Sequence, residues 1–345
     1  MFARVLTVAL VAAVAAVAFA QTQPADTPLA VASAPATTAS APASAPTSSP
    51  TSRGAVVLKV GNTPITSDQI DRILALLPPV ISNDEYAAAV AKGEQPKGIV
   101  LEQKTAVAER RLSDLVFREL ARVYLDARKA PEVTDEEFAN EMKAAAETAR
   151  NNKVSLEQML ARMGLDEPAI RHEMRVAKFI RDAASVANAE QYIKDHPAYF
   201  NGTKVQASHI LLECDYNATT EEAMKVIAKL SAIAADIKTG KVSFEDAARK
   251  DSICPSREKG GDLGEFTFDR MVPAFSRVAF ALKTGEISSL VRTQYGFHII
   301  KVTGRTEGAA QPSPESVEMA RRAIVTQIED DVRAQTLTTC PISKP

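Results

Sequence analysis

Apolar and polar positions change period repeatedly along this chain, and each change marks an element. From Val205 to Glu213, and again from Val291 to Val302, aliphatic and β-branched residues run as strands do, with a kink at Tyr295-Gly296. Between them the period lengthens to that of a helix. Thr219 with Glu222 three residues on forms a capping-box pattern, and Ala223, Val226, Ile227, Leu230, Ile233 and Ile237 then share one face until Gly240. Ser243 opens a second, short helix carrying Phe244, Ala247 and Ala248. The order strand, helix, short helix, glycine-rich loop, short helix, strand pair predicts an antiparallel sheet flanked by helices over residues 203–305.

Upstream, over residues 55–200, helical spacing dominates. Ala55 to Val60 reads as a strand stopped by Gly61-Asn62, and Thr66 with Gln69 opens a helix bearing Ile70, Ile73, Leu74 and Leu77, ended by Pro78-Pro79. A long helix is predicted from about Leu101 to Lys129, with Leu112, Leu115, Val116, Leu120 and Val123 on one face. Thr134 with Glu137, and Ser155 with Gln158, open two more; the second presents Leu156, Met159, Leu160 and Met163. These stripes are expected to be core. Downstream, Glu315 to Leu337 shows Val317, Ala320, Ile324 and Ile328 at helical spacing, and Thr338 to Pro345 is expected to fray. The fold class expected is α+β.

The N-terminal residues set the compartment. Arg4 precedes an uncharged apolar run from Val5 to Ala18, and Ala18-Phe19-Ala20 supplies the small residues a signal peptidase reads, so residues 1–20 are expected to be a signal peptide. The alternative is a retained anchor, which the run disfavours because it falls short of the roughly 20 residues that span a bilayer core. Gln21, not Cys, follows the site, so no lipid anchor is indicated. Residues 21–54, almost wholly Ala, Pro, Ser and Thr, are expected to form a disordered tether. A formal net charge of −2 without a basic stripe or dinucleotide fingerprint gives no reason to expect nucleic acid. Three cysteines, Cys214, Cys254 and Cys340, are odd in number and irregularly spaced, which is no disulfide framework.

Motifs then narrow the function. Ala207-Ser208-His209-Ile210-Leu211-Leu212, Gly260-Gly261-Asp262-Leu263-Gly264 and Tyr295-Gly296-Phe297-His298-Ile299-Ile300 occur in order, with Met271-Val272-Pro273-Ala274-Phe275, Ala279-Phe280-Ala281-Leu282 and Gly285-Glu286-Ile287-Ser288 between the last two. Together they resemble the parvulin family of peptidyl-prolyl cis-trans isomerases. The strand and turn Val57 to Thr66, the helices and the stretch Asp195-His196-Pro197-Ala198-Tyr199-Phe200 resemble the SurA-type exported foldases and their PrsA-type relatives. The resemblance implies a helical, client-holding chaperone-like domain at 55–200, a parvulin domain at 203–305, and a helix within 306–345 that packs back on the first.

It also implies a site. His209 and His298 match the family's central histidines, Thr293 the hydroxyl that orients the second, and Cys254 the polar residue facing the peptide bond; Leu263, Met271 and Phe275 match the proline pocket, with Tyr295 and Phe297 expected at its edge. Read without the family, the histidines are equally buried sheet residues that order the fold. A thiol-protease dyad of Cys254 with either histidine, and a zinc site from His209, Cys254 and His298, are the competing chemistries; the surrounding motifs match no such protease, and paired metal-ligand spacing is absent. No metal or cofactor is expected. The acidic loop Glu213-Cys214-Asp215-Tyr216-Asn217-Ala218-Thr219-Thr220-Glu221-Glu222 would repel a phosphate. The expectation is an isomerase of unphosphorylated X-Pro bonds in unfolded exported polypeptides, periplasmic or else membrane-tethered or secreted. The alternative is a holdase whose parvulin domain binds peptides without catalysis.

Overall fold

A computed structural model describes residues 54–75, 77–163 and 165–345. The expected signal peptide and the tether up to Arg53 lie outside the described residues. The order of elements is β1 (Val56–Val60), β2 (Thr63–Thr66), α1 (Ser67–Leu74), α2 (Asn83–Ala91), α3 (Leu101–Ala127), α4 (Asp135–Asn151), α5 (Leu156–Met163), α6 (Glu167–Ala183), α7 (Val186–Asp195), β3 (Lys204–Glu213), α8 (Thr220–Lys238), α9 (Phe244–Asp251), β4 (Asp262–Phe266), α10 (Pro273–Ala281), β5 (Val291–Thr293), β6 (Gly296–Thr306), α11 (Pro314–Ala334) and β7 (Ile342–Ser343). The class is α+β.

Local chemistry starts the helices. At α4 and α8 the capping boxes are reciprocal: Glu137 N–H donates to Thr134 Oγ1 while Thr134 N–H donates to Glu137, and Thr219 and Glu222 repeat the exchange. Each box satisfies amide donors that the first helical turn leaves unpaired.

The four-stranded antiparallel sheet has the order β4-β3-β6-β5. Because strand side chains alternate, its two faces build two cores. Ile210, Leu212, Phe297 and Ile299 face α8 and α9, meeting Leu230 and Phe244. Val205, Ala207, Ile300 and Val302 face the other way, toward Phe266, Phe268, Phe275 and Phe280. His209 and His298 continue this second face.

A separate core joins β1 and β2 to the C-terminal half of α3, where Leu115, Val116, Leu120 and Leu125 meet Leu58, Val60 and Ile65. α11 ties the cores together: Ala320 packs with Ala189 and Ile193 of α7, Ala323 enters the isomerase-side core, and Ile328 and Val332 join the α3 core. Leu156, Met159 and Leu160 of α5 pack on Ala145 and Ala149 of α4. Val80 and Val90 upstream of α3, and Leu101 at its start, remain exposed.

The C-terminus departs from expectation. Rather than fraying, residues after α11 turn through Gln335–Leu337 and add β7 to the edge of β1, giving the order β2-β1-β7. Ile342 and Cys340 are buried, Gly61 N–H donates to Pro341 O, and Ile342 N–H donates to Thr220 Oγ1. The free edge of β1 supplies unpaired backbone groups, and Ile342 covers apolar surface there, so the ordering cost is offset.

Candidate active site

The register of the central strands sets the site. His209 lies opposite Ile300 and Leu211 opposite His298, so the two imidazoles are diagonal neighbours on one face. Two glycines permit this. Gly261, at φ +86°, accepts the His209 N–H at 3.0 Å, and a Cβ there would collide with the His209 carbonyl oxygen. Gly296, at φ +132°, turns the β5–β6 hairpin where a Cβ would collide with the Leu212 carbonyl oxygen.

The histidines meet through their Nδ1 atoms at 3.1 Å, with ring centroids 5.3 Å apart. His298 Nε2 lies 2.7 Å from Thr293 Oγ1, which accepts the Tyr295 N–H at 3.1 Å. Burial lowers the His209 pKa to about 4; burial and then the neighbouring His209 lower that of His298 to about 3, so both rings are neutral near pH 7. Neutrality fixes the proton order. If Thr293 donates to His298 Nε2, His298 Nδ1 donates to His209 Nδ1, and only the buried His209 Nε2–H lacks a partner. The reverse order would strand the Thr293 hydroxyl proton as well. The chain therefore runs from Thr293 to His298 to His209.

An apolar wall stands against these rings. Phe275 meets both imidazoles edge-on with centroids 5.6 Å away, and Leu263 and Met271, both half-buried, pack on the same core. Cys254 is half-buried and free. Its thiol accepts from Ser256 Oγ at 3.2 Å, and its N–H donates to Ser252 Oγ, which also receives the Leu211 N–H. No hydrogen bond joins Cys254 to either histidine among the described residues, so the thiol-protease dyad is not formed. Ser252, buried and holding Cys254 against β3, is a residue the sequence motifs missed.

One expected placement needs correction. Phe297 belongs to the opposite core, packed with Ile210, Leu230 and Phe244, because it neighbours His298 on a strand and adjacent strand residues face opposite ways. Tyr295 contributes its backbone to the Thr293 bond and is an exposed residue. In the acidic loop, Glu222 is engaged by the Thr219 N–H and by Lys344 at 2.8 Å, Glu221 pairs with Lys225, and Asp215 accepts the Asn217 N–H. Of these carboxylates, Glu222 serves both helix capping and tail docking.

Residues 209–304 match the family model described as a PPIC-type peptidyl-prolyl isomerase domain. The foldase protein PrsA of Bacillus subtilis is 32% identical over 265 residues, covering 76% of this chain and 82% of that protein. The chain belongs to the PrsA foldase family. The peptidyl-prolyl isomerase Pin1 of Malus domestica is 39% identical over 119 residues, 30% of this chain and 96% of that one. The crystal structure of the peptidylprolyl isomerase PrsA from Bacillus anthracis is similar at 26% identity, covering 66% of this chain and 94% of that chain with a TM-score of 0.31.

This PrsA-type foldase is a peptidyl-prolyl cis-trans isomerase of the parvulin type. The reaction needs no bond to break. Rotation about an X-Pro peptide bond faces a barrier of about 18–20 kcal/mol set by amide resonance, so a site that takes the amide out of water and favours its twisted form accelerates it. Phe275, Met271 and Leu263 offer the apolar wall, and the neutral histidine chain offers polar groups that bring no charge.

Proposed function

We propose that this foldase isomerises unphosphorylated X-Pro bonds in unfolded exported polypeptides, in the periplasm. Its site residues are His209, His298, Thr293 and Cys254 beside a proline pocket of Leu263, Met271 and Phe275. The observation that carries the reading is the neutral, hydrogen-bonded chain Thr293–His298–His209 lying against Phe275. A charged imidazole would draw water to the amide; a neutral pair leaves the surroundings apolar.

Preference for unphosphorylated substrate is supported by the loop after β3. It holds no lysine or arginine between Glu213 and Glu222. Arg292, beside it, is engaged: Nη1 donates to Thr336 Oγ1 at 2.8 Å and Nη2 to the Asp215 carbonyl at 3.3 Å. A phosphate dianion needs free basic forks. Export is supported by Arg4, the apolar run after it and Ala18-Phe19-Ala20.

The test is a cis/trans isomerisation assay on the full chain with paired peptides carrying serine or phosphoserine before proline. Catalysis that favours serine is the expected result. A preference for phosphoserine refutes the substrate assignment, and absence of catalysis with either peptide favours a holdase.

A further inference from the structure

Between α6, α7 and α11 lies a cleft of about 420 Å³, within the size range of ligand sites and apart from the prolyl pocket. Phe179, Ile324 and Ile328 give it apolar walls, and Asp195 and Asp331 stand at its edge. No lysine or arginine lines it among the described residues.

Its polar groups are poorly matched within the chain. Tyr192 Oη is buried without a hydrogen-bond partner, and burial pushes its hydroxyl up to about 12. Asp331 forms no ion pair among the described residues. Arg277 and Arg128 act on Asp331 only from a distance, since Arg277 pairs directly with Asp330 at 2.6 Å and Arg128 lies 3.4 Å over the Tyr124 ring. Among the described residues Asp195 receives only the Gln191 amide. An apolar trough edged by two carboxylates without a direct ion pair among the described residues complements an apolar side chain beside a cation.

The cleft is also continuous with the isomerase core. Tyr192 packs 4.4 Å from the His196 ring, His196 stacks on Tyr199 at 4.8 Å, and Tyr199 stacks on Phe268 at 3.9 Å. Phe268 shares its core with Phe275, the wall of the prolyl pocket. One aromatic column thus runs from cleft to pocket.

We propose that the cleft binds unfolded polypeptide segments in which a large apolar side chain neighbours a lysine or arginine. This rests on the foldase reading above and adds the class of client sequence.

The test uses the full chain and a fluorescein-labelled, proline-free peptide of alternating leucine, phenylalanine and lysine, with a glutamate-for-lysine peptide as the second arm. Fluorescence anisotropy is expected to show tighter binding of the lysine peptide. The double variant Asp195→Asn/Asp331→Asn should weaken that peptide by about fivefold, the scale of two exposed ion pairs, and leave the glutamate peptide unweakened. Ala183→Leu, which fills the cleft, should weaken both. Isomerisation of a short proline peptide, measured on the same samples, should be unchanged. If Ala183→Leu fails to fold by thermal melt, the double variant still decides. Equal affinity for the two peptides, or unchanged affinity in the double variant, overturns the proposal. Loss of binding in the variants of a chain that shows no isomerisation would instead support the cleft and refute the catalytic reading.

Discussion

His209 and His298 share a single proton between Nδ1 atoms 3.1 Å apart, so the tautomer of each ring is set by the other. Thr293 orients the pair from one end, and His209 Nε2 is left as the unpaired end. The arrangement makes the site depend on neutrality, and neutrality has a measurable consequence.

Stability should fall as the solution is acidified. In the unfolded chain both histidines titrate near about 6.5, whereas in the folded protein they do so at about 4 and about 3. Between those values the unfolded state binds protons that the folded state refuses, so acid favours unfolding. Each such proton contributes about 1.4 kcal/mol per pH unit, and this loss ends once the folded rings also protonate. Thermal melts at intervals from about pH 7.5 down to about pH 4.5 should show the decline. A His209→Asn/His298→Asn protein that still folds should decline less steeply. Equal slopes would mean the rings are not the groups responsible.

Thr293 should matter through its hydroxyl. Thr293→Val keeps the shape but removes both the donor to His298 and the acceptor for Tyr295 N–H. A lost hydrogen bond with a buried group left unpaired costs about 1–3 kcal/mol, so kcat/KM is expected to drop roughly five- to a hundredfold if the cost falls on the transition state. Thr293→Ser should recover most of it. Identical losses in the Val and Ser variants would assign the effect to the methyl group instead.

The pocket should outweigh the thiol. Met271→Ala removes half-buried apolar contact and should lower kcat/KM with little effect on the melt, while Cys254→Ala should retain substantial turnover because no covalent step is needed. Phe297→Ala is the control from the opposite core. It should cost about 3–5 kcal/mol of stability and leave kcat/KM of the folded fraction near that of the parent. Abolished turnover in a folded Cys254→Ala protein would contradict this ordering.

These contrasts also show what the sequence made legible. Capping boxes at Thr134 and Thr219 were readable because both partners lie within one turn. The sites of the histidines followed from their motifs and from strand periodicity. The same periodicity excludes Phe297 from the pocket, since it adjoins His298, but the motif resemblance had placed both there. α6 and α7 are also legible, since Asp166 and Ser185 cap them and Ile170, Met174, Ala177 and Ile180 keep helical spacing in α6, but the motif reading passes over both. β7 could not be read at all: two residues carry no period, and what orders them is the edge of β1 and Thr220, both far away in sequence.

That tail gives the last prediction. Residues 338–345 touch both parts of the chain: Gly61 and β1 on one side, and Thr220 and Glu222 at the start of α8 on the other. Thr336, just before them, holds Arg292 and accepts from Thr220. Truncation after Leu337 should therefore destabilise the full protein by at least the burial of Ile342, about 1.5–3 kcal/mol, seen as a lower melting temperature. Hydrogen exchange should rise in β1 and in the first turn of α8 together. Ile342→Ala should reproduce much of the loss. Lys344→Ala should change little, because its pair with Glu222 is solvent-exposed and screened. If exchange rises only in β1, the tail closes one sheet and does not connect it to the isomerase domain. If the truncated chain melts like the intact one, the edge of β1 needs no cover and the buried Ile342 contributes nothing to holding the two ends of the chain together.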